Sequence, residues 1–173
     1  MAGEQDEALQ LRELQAGDRV NKLDAGQDFL PLAMFLKKNA HSHQAQHVSH
    51  TYVLADAANR VVGYISLICA QIELDAPLEE VENYPGESYP AIKIGKLAVD
   101  RHYRGKDLGS KLVDLSLAIA KENIQPHVGC RFLAVDSHKD AISFYQKKGF
   151  RLLETEENKG RRAPLMFVDL SKV

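Results

Sequence analysis

Between Arg101 and Lys111 the chain gathers Arg101, Arg104, Lys106 and Lys111 around Gly105 and Gly109. The apolar run Leu97-Ala98-Val99 ends just before this stretch, and a helical pattern opens at Leu108. A strand-to-helix turn of this kind leaves backbone N–H groups outside the helical ladder. Cations beside them make a seat for phosphate or pyrophosphate. The spacing of Gly105, Gly109 and Lys111 fits neither G-x-x-x-x-G-K-[ST] nor the dinucleotide fingerprint, which excludes those two phosphate loops. Asp107 puts a carboxylate inside the turn, where it opposes an anion and could cap the helix through the Ser110 N–H. Taken alone, an ordinary helix start with Asp107 as its cap fits the turn equally well.

Other reactive side chains carry weaker signals. His41, His43, His47 and His50 are close in sequence, with His43 and His47 one helical turn apart. No cysteine or carboxylate lies near enough in sequence to complete a metal site, so a solvated helix end is expected and no metal. The two cysteines, Cys69 and Cys130, sit in apolar runs without a second ligand at metal spacing, and both are expected to be buried, reduced thiols. Lys37-Lys38, Lys147-Lys148-Arg151 and Lys159-Arg161-Arg162 are three basic clusters, each explicable as solvated surface. A formal net charge of −2 gives no bulk attraction for nucleic acid.

The elements that must position these residues are legible from apolar spacing. At 173 residues the chain fits one domain, 1–173, with an acidic tail over 1–7 expected to be disordered. No signal peptide is read at the N-terminus, and Val61–Ala70 is too short to span a bilayer. Leu9-Leu11-Leu14 suggests a first strand. Asp28 is placed to cap a helix carrying Phe29, Leu32, Phe35 and Leu36, running to about Asn39 or into the histidines. Thr51–Ala55 and Val61–Ile68 read as strands around an Asp56–Arg60 turn. Ile72–Pro90 reads as a loop with acidic residues Asp75, Glu79, Glu80, Glu82 and Glu87, and with a short helix at Leu78–Val81.

Ala91–Val99 is a long strand, and Leu108, Leu112, Leu115 and Ile119 form one stripe of a helix ending near Asn123. Cys130–Val135 is a strand, and Lys139–Lys148 is a helix stopped by Gly149. Arg151–Leu153 and Leu165–Val168 close the chain as strands around an Asn158–Arg162 turn. The order predicts an α/β (α+β) domain on a mixed, mostly antiparallel sheet of six to seven strands, with helices on both faces.

Two elements in combination say more than either alone. The strand Leu97-Ala98-Val99, the turn R-G-K-D-L-G, the amphipathic helix, a strand ending Ala134-Val135-Asp136, and the A-x-x-F-Y-x-x-x-G-F run over 141–150 together resemble the GNAT superfamily of N-acetyltransferases. The resemblance extends from about Tyr52 to the C-terminus. Its turn pattern, [QR]-x-x-G-x-[GA], falls on Arg104, Asp107 and Gly109, so Asp107 stands where the family has glycine. Leu23-Asp24-Ala25-Gly26, the L-x-x-F-L-K-K-N-A run over 32–40, Thr51–Leu54 and Tyr89–Asp100 further resemble the GNAT toxins of bacterial toxin–antitoxin pairs.

What the resemblance implies is specific. Acetyl-CoA would be held by Leu97, Ala98 and Val99 along its pantetheine arm. Arg104, Gly105, Lys106, Asp107, Leu108, Gly109 and Ser110 would take the pyrophosphate, with Asp136 and Lys139 as further cofactor contacts. Tyr145 would be the general acid, and a phenol with an ordinary pKa near 10 keeps its proton at pH 7. The acceptor is a primary amine, and for the toxins it is the α-amino group of aminoacyl-tRNA. A ribbon-helix-helix antitoxin, a homodimer and a cytoplasmic location complete the expectation. The competing expectation is a GNAT-fold binding or regulatory module, its hold on acetyl-CoA impaired by Asp107.

Overall fold

The computed structural model describes residues 8–73, 81 and 86–173. The expected tail over 1–7, most of the short helix expected at Leu78–Val81, and Asp75, Glu79, Glu80 and Glu82 lie outside the described residues.

The elements are β1 (Gln10–Glu13), α1 (Leu30–Lys38), α2 (Ala40–Ala45), β2 (His50–Ala55), β3 (Val61–Glu73), β4 (Ser88–Val99), α3 (Leu108–Ala118), β5 (Phe132–Asp136), α4 (Ile142–Lys147), β6 (Arg151–Leu152), α5 (Glu156–Gly160) and β7 (Leu165–Asp169). The seven strands form one sheet in the order β1-β2-β3-β4-β5-β7-β6. The pairs β1–β2, β2–β3, β5–β7 and β6–β7 are antiparallel, and β4–β5 is parallel. This is the mixed, mostly antiparallel sheet expected. The chain divides into two compact units, Met1–Leu67 with Gly95–Val113 and Ile68–Ile94 with Asp114–Val173.

In the first unit Leu23, Leu36, Val53 and Tyr64 pack into one apolar cluster with Phe29, Leu32 and Phe35 at its margin. Phe35 stacks on Tyr64 at 6.2 Å, and the Tyr64 hydroxyl donates to the Leu32 carbonyl at 2.7 Å, so α1 is tied to β3. Asp28 does not cap α1. It lies in a 3-10 turn, Gln27–Phe29, and α1 begins one residue later without a side-chain cap. Pro31 in the first turn and Lys37 and Lys38 in the last suit the helix ends instead. The histidines continue into α2, where the His43 ring meets Phe35 edge-on at 5.3 Å; His47, at φ +56°, follows its end. The Asp56–Arg60 turn is as expected, with the Asp56 carboxylate accepting from the Ala58 and Arg60 amides, both at 2.9 Å.

The second unit departs further from expectation. Ile72 and Glu73 belong to β3, and Ser88–Pro90 belong to β4, so the expected loop is partly strand. Buried Ile72 and Tyr89 explain this: both anchor a cluster with Phe132 and Phe167. Cys69 is exposed, against expectation, whereas Cys130 is buried. From Ile68 onward β3 alternates, with Cys69, Gln71 and Glu73 on its exposed side and Ile72 on its buried side. Strand β5 begins at Phe132, with Cys130 just before it. The helix that opens at Leu108 is α-helical only to Ala118 and continues as a π-turn over Ile119–Ile124.

The Asn158–Arg162 segment is not a simple turn, because α5 occupies Glu156–Gly160. Thr155 caps it by accepting from the Asn158 amide at 3.2 Å. The buried Asn158 side chain donates to the Leu153 and Leu165 carbonyls, both at 3.0 Å, and accepts from the Leu165 amide at 2.8 Å. One amide side chain thus pins both ends of the β6–β7 connection.

Three buried aspartates are held below the ordinary carboxylate range. Burial works against their charge, but hydrogen bonds outweigh it. Arg12 and the Gln15 amide hold Asp18 below the ordinary carboxylate range. The Asp24 and His102 amides, with the His102 ring, do so for Asp100, and Arg131 with the Ser171 amide for Asp169. Each folded pKa lies below the unfolded value of about 4, so the stabilisation is fully present above about pH 4 and is lost as pH falls through the folded values. Melting temperatures measured between pH 7 and pH 2 should therefore be flat at first and drop steeply below about pH 4. Asp169→Asn should shallow that drop.

Candidate active site

The phosphate-type turn lies wholly in the first unit. Asp100, fully buried, closes β4 and organises the turn beyond it. Its carboxylate accepts from the Asp24 and His102 amides, both at 3.0 Å, and contacts His102 Nδ1 at 2.9 Å. Its own amide donates to the Val62 carbonyl at 2.8 Å. Arg101–Tyr103 then form a 3-10 turn.

Gly105 comes next at φ +79° and Asp107 at φ +61°, both in the left-handed region that favours glycine. Nothing lies within 4 Å of where a Gly105 side chain would project. Leu108 opens α3 with its side chain buried, and the Lys111 amide donates to the Asp107 carbonyl at 3.2 Å. Asp107 is exposed and combines a left-handed φ, which glycine adopts most easily, with the position whose carbonyl accepts the first hydrogen bond of α3.

The predicted cations do not all face the turn. Lys106 Nζ lies 5.4 Å from the centre of the Tyr103 ring. The Arg101 guanidinium pairs with Asp24 at 2.8 Å, and Arg104 donates to the Ala25 carbonyl. Upstream, Leu97, Ala98 and Val99 form the end of β4, beyond the last pair of that strand with β5, Ile94↔Val135. Gly63 on β3 lets that end approach: a side chain there would stand 3.5 Å from the Ala98 carbonyl, Val99 and Leu112.

The remaining predicted residues lie in the second unit. Asp136 ends β5, where Lys93 donates to its carboxylate and Arg161 stands 3.7 Å away. Lys139 is exposed at the start of a 3-10 turn, Lys139–Ala141, that leads into α4. Tyr145 is buried on α4, with its ring edge-on to Phe144 at 5.0 Å and to Phe150 at 5.3 Å. Gly149, at φ +86°, ends that helix as the sequence indicates. Burial pushes the Tyr145 phenol well above its ordinary pKa, so it is a protonated donor throughout the physiological range.

The sequence carries Asp100, Lys93 and Arg161 in its runs and clusters but assigns none of them its partner. Asp100 carried a local signal, an acid at a strand end two residues before a turn histidine. The other two have none, because their partners are distant in sequence.

The first unit holds a strand ending at a glycine-type turn with a helix starting on it, and the second holds a buried tyrosine on a short helix. The acetyltransferase (GNAT) domain family matches residues 47–152, and the chain belongs to that family. It is 29% identical over 147 residues to a tRNA-acetylating toxin of Mycobacterium tuberculosis, covering 84% of this chain and 86% of the relative. Among solved structures, AtaT complexed with acetyl-methionyl-tRNAfMet superposes with a TM-score of 0.83 at 22% identity, covering 95% of this chain and 96% of the other. A mutant AtaT bound to the C-terminus of the antitoxin AtaR and acetyl-CoA superposes with a TM-score of 0.77 at 22% identity, covering 95% and 94%. At that identity the structural likeness establishes the fold. Among the described residues, no helix is long and apolar enough to cross a membrane.

Proposed function

We propose that this chain, taken as a single domain over 1–173, is an acetyl-CoA-dependent N-acetyltransferase acting on the α-amino group of aminoacyl-tRNA, as a bacterial, cytoplasmic toxin restrained by an antitoxin. The carrying observation is the pair of left-handed residues, Gly105 and Asp107, leading directly into α3 in a chain of this family. The 29% identity to a tRNA-acetylating toxin supports the acceptor. The complex of AtaT with the C-terminus of AtaR supports an antitoxin partner. A ribbon-helix-helix antitoxin and a homodimer belong to the same reading.

The residues fit a pyrophosphate. Backbone amides of 105–110 stand at the start of an eleven-residue helix, whose dipole favours an anion there, with Lys106 and Lys111 exposed beside them. Leu97, Ala98 and Val99 offer strand amides and carbonyls to an amide-bearing arm, and an amide at this position would stabilise charge developing on the acyl oxygen. When bound, acetyl-CoA supplies an activated thioester. Tyr145 holds its proton for the leaving thiolate. An α-amine beside an ester is less basic than lysine, so enough of it is neutral near pH 7 without a dedicated base. Lys38, Lys147 and Arg162 are exposed and can meet a phosphate backbone, while Lys148, Lys159 and Arg161 are engaged by Asp114, Glu154 and Asp136.

The test is transfer of labelled acetyl from acetyl-CoA to charged tRNA, with deacylated tRNA as the control, together with calorimetry. Absence of acetyl-CoA binding at millimolar concentration would leave the competing binding module instead. Asp107→Gly removes a carboxylate from the turn and suits the φ of +61°. It should tighten acetyl-CoA binding by about fivefold, the scale of one charge at a helix start. A titration showing unchanged or weaker affinity would make the carboxylate a working part of the turn.

A further inference from the structure

Arg104 heads the glycine turn, and its guanidinium is engaged by the segment 24–29. It donates to the Ala25 carbonyl, and its Cζ lies 5.6 Å from the centre of the half-buried Phe29 ring. Gly26, at φ +86°, brings the chain past it, and a side chain there would stand 3.8 Å from a guanidinium nitrogen. The rest of the segment is fastened to the same turn. The Arg101 amide donates to the Asp24 carbonyl at 2.8 Å, and Arg101 Nε pairs with the Asp24 carboxylate at 2.8 Å. That carboxylate also accepts from the Gly26 amide at 2.9 Å, and the Phe29 amide donates to the Gly26 carbonyl at 3.1 Å.

We infer that Phe29 is a positioning residue for acetyl-CoA binding: its ring and the Ala25 carbonyl clamp Arg104, and the clamp sets the backbone of the 105–110 turn. The inference rests on the reading of that turn as the pyrophosphate seat. It explains the residue type at 104. A guanidinium spreads its charge and its five N–H donors over a plane, so it can reach the Ala25 carbonyl while its Cζ lies over the Phe29 ring, a geometry that a compact ammonium matches less well. The charge already engaged at Ala25 and Phe29 is not the charge that binds phosphate; the turn amides and Lys106 or Lys111 supply that.

Calorimetry with acetyl-CoA on the full chain tests it. Phe29→Leu keeps every charge and most of the apolar volume, and it should weaken binding about fivefold. Arg104→Lys, which keeps the charge but not the plane, should weaken it similarly. The double variant should be no weaker than Arg104→Lys alone, because both changes open one clamp. Phe29→Tyr should retain affinity. In the transfer assay, Phe29→Leu should raise KM for acetyl-CoA and leave kcat unchanged at saturation, which a loss of folded protein would not do. Wild-type affinity in Phe29→Leu, or full additivity in the double variant, would overturn the clamp. A wild-type chain that binds no acetyl-CoA would overturn the reading of the turn itself, and this role with it.

Discussion

Tyr145→Phe should lower kcat for acetyl transfer by about a hundredfold to a thousandfold, the scale of losing a general acid. KM for acetyl-CoA should move little. The substitution removes one oxygen and keeps the ring, so the edge-on contacts with Phe144 and Phe150 survive and the melting temperature should hold. Expression of the wild-type chain should arrest growth, and the variant should not. The pH dependence carries further information. Because burial raises the phenol pKa, activity should show no loss assignable to phenol ionisation up to about pH 9. A Tyr145→Phe enzyme with unimpaired kcat would assign the tyrosine to packing alone and leave the leaving thiolate to water.

Asp100→Ala should cost about 3 kcal/mol of stability, a typical penalty for leaving buried donors without their charged acceptor. For a chain of this size that is a fall of about 6–12 °C in Tm. The Asp24 and His102 amides lose their acceptor, and the attachment of Asp24–Phe29 to the phosphate turn loosens with them. Asp100→Asn, which retains one acceptor oxygen, should cost less. It should also remove part of the steep loss below about pH 4, because the depressed carboxylate titration disappears. Thermal melts of the three proteins at pH 7 and pH 3 separate these effects. Equal melting temperatures for wild type and Asp100→Ala at pH 7 would deny the carboxylate its organising role.

Local pattern and tertiary placement divide the site between them. The turn at 104–110 is legible because backbone conformation is a short-range property: Gly105 announces its left-handed angle, whereas Asp107 shares that conformation without a glycine to announce it. Gly149 is legible as a helix stop for the same reason, whereas Tyr145 is singled out only by the resemblance to the GNAT superfamily. The long strand through Val99 and the α3 stripe followed from apolar spacing, which needs only a buried face. Where a second element decided, the reading fell short. Cys69 sits in an apolar run, but only one side of β3 is covered at that point. The Asn158 segment reads as a turn in sequence, whereas its side chain meets acceptors and a donor at both ends of the connection, on Leu153 and Leu165.

Residue pattern alone is enough for the sheet with its helices and for the glycine turn, since each depends on contacts within a few residues or on periodicity, and motif order is enough for the family and the tyrosine. What the charged side chains do depends on the folded chain. Arg104 is 79 residues from the carbonyl it holds, and Asp100 is 76 residues from the Asp24 amide it accepts. A side chain's partner is chosen by which segments the folded core brings together, and no local pattern in the chain records that choice.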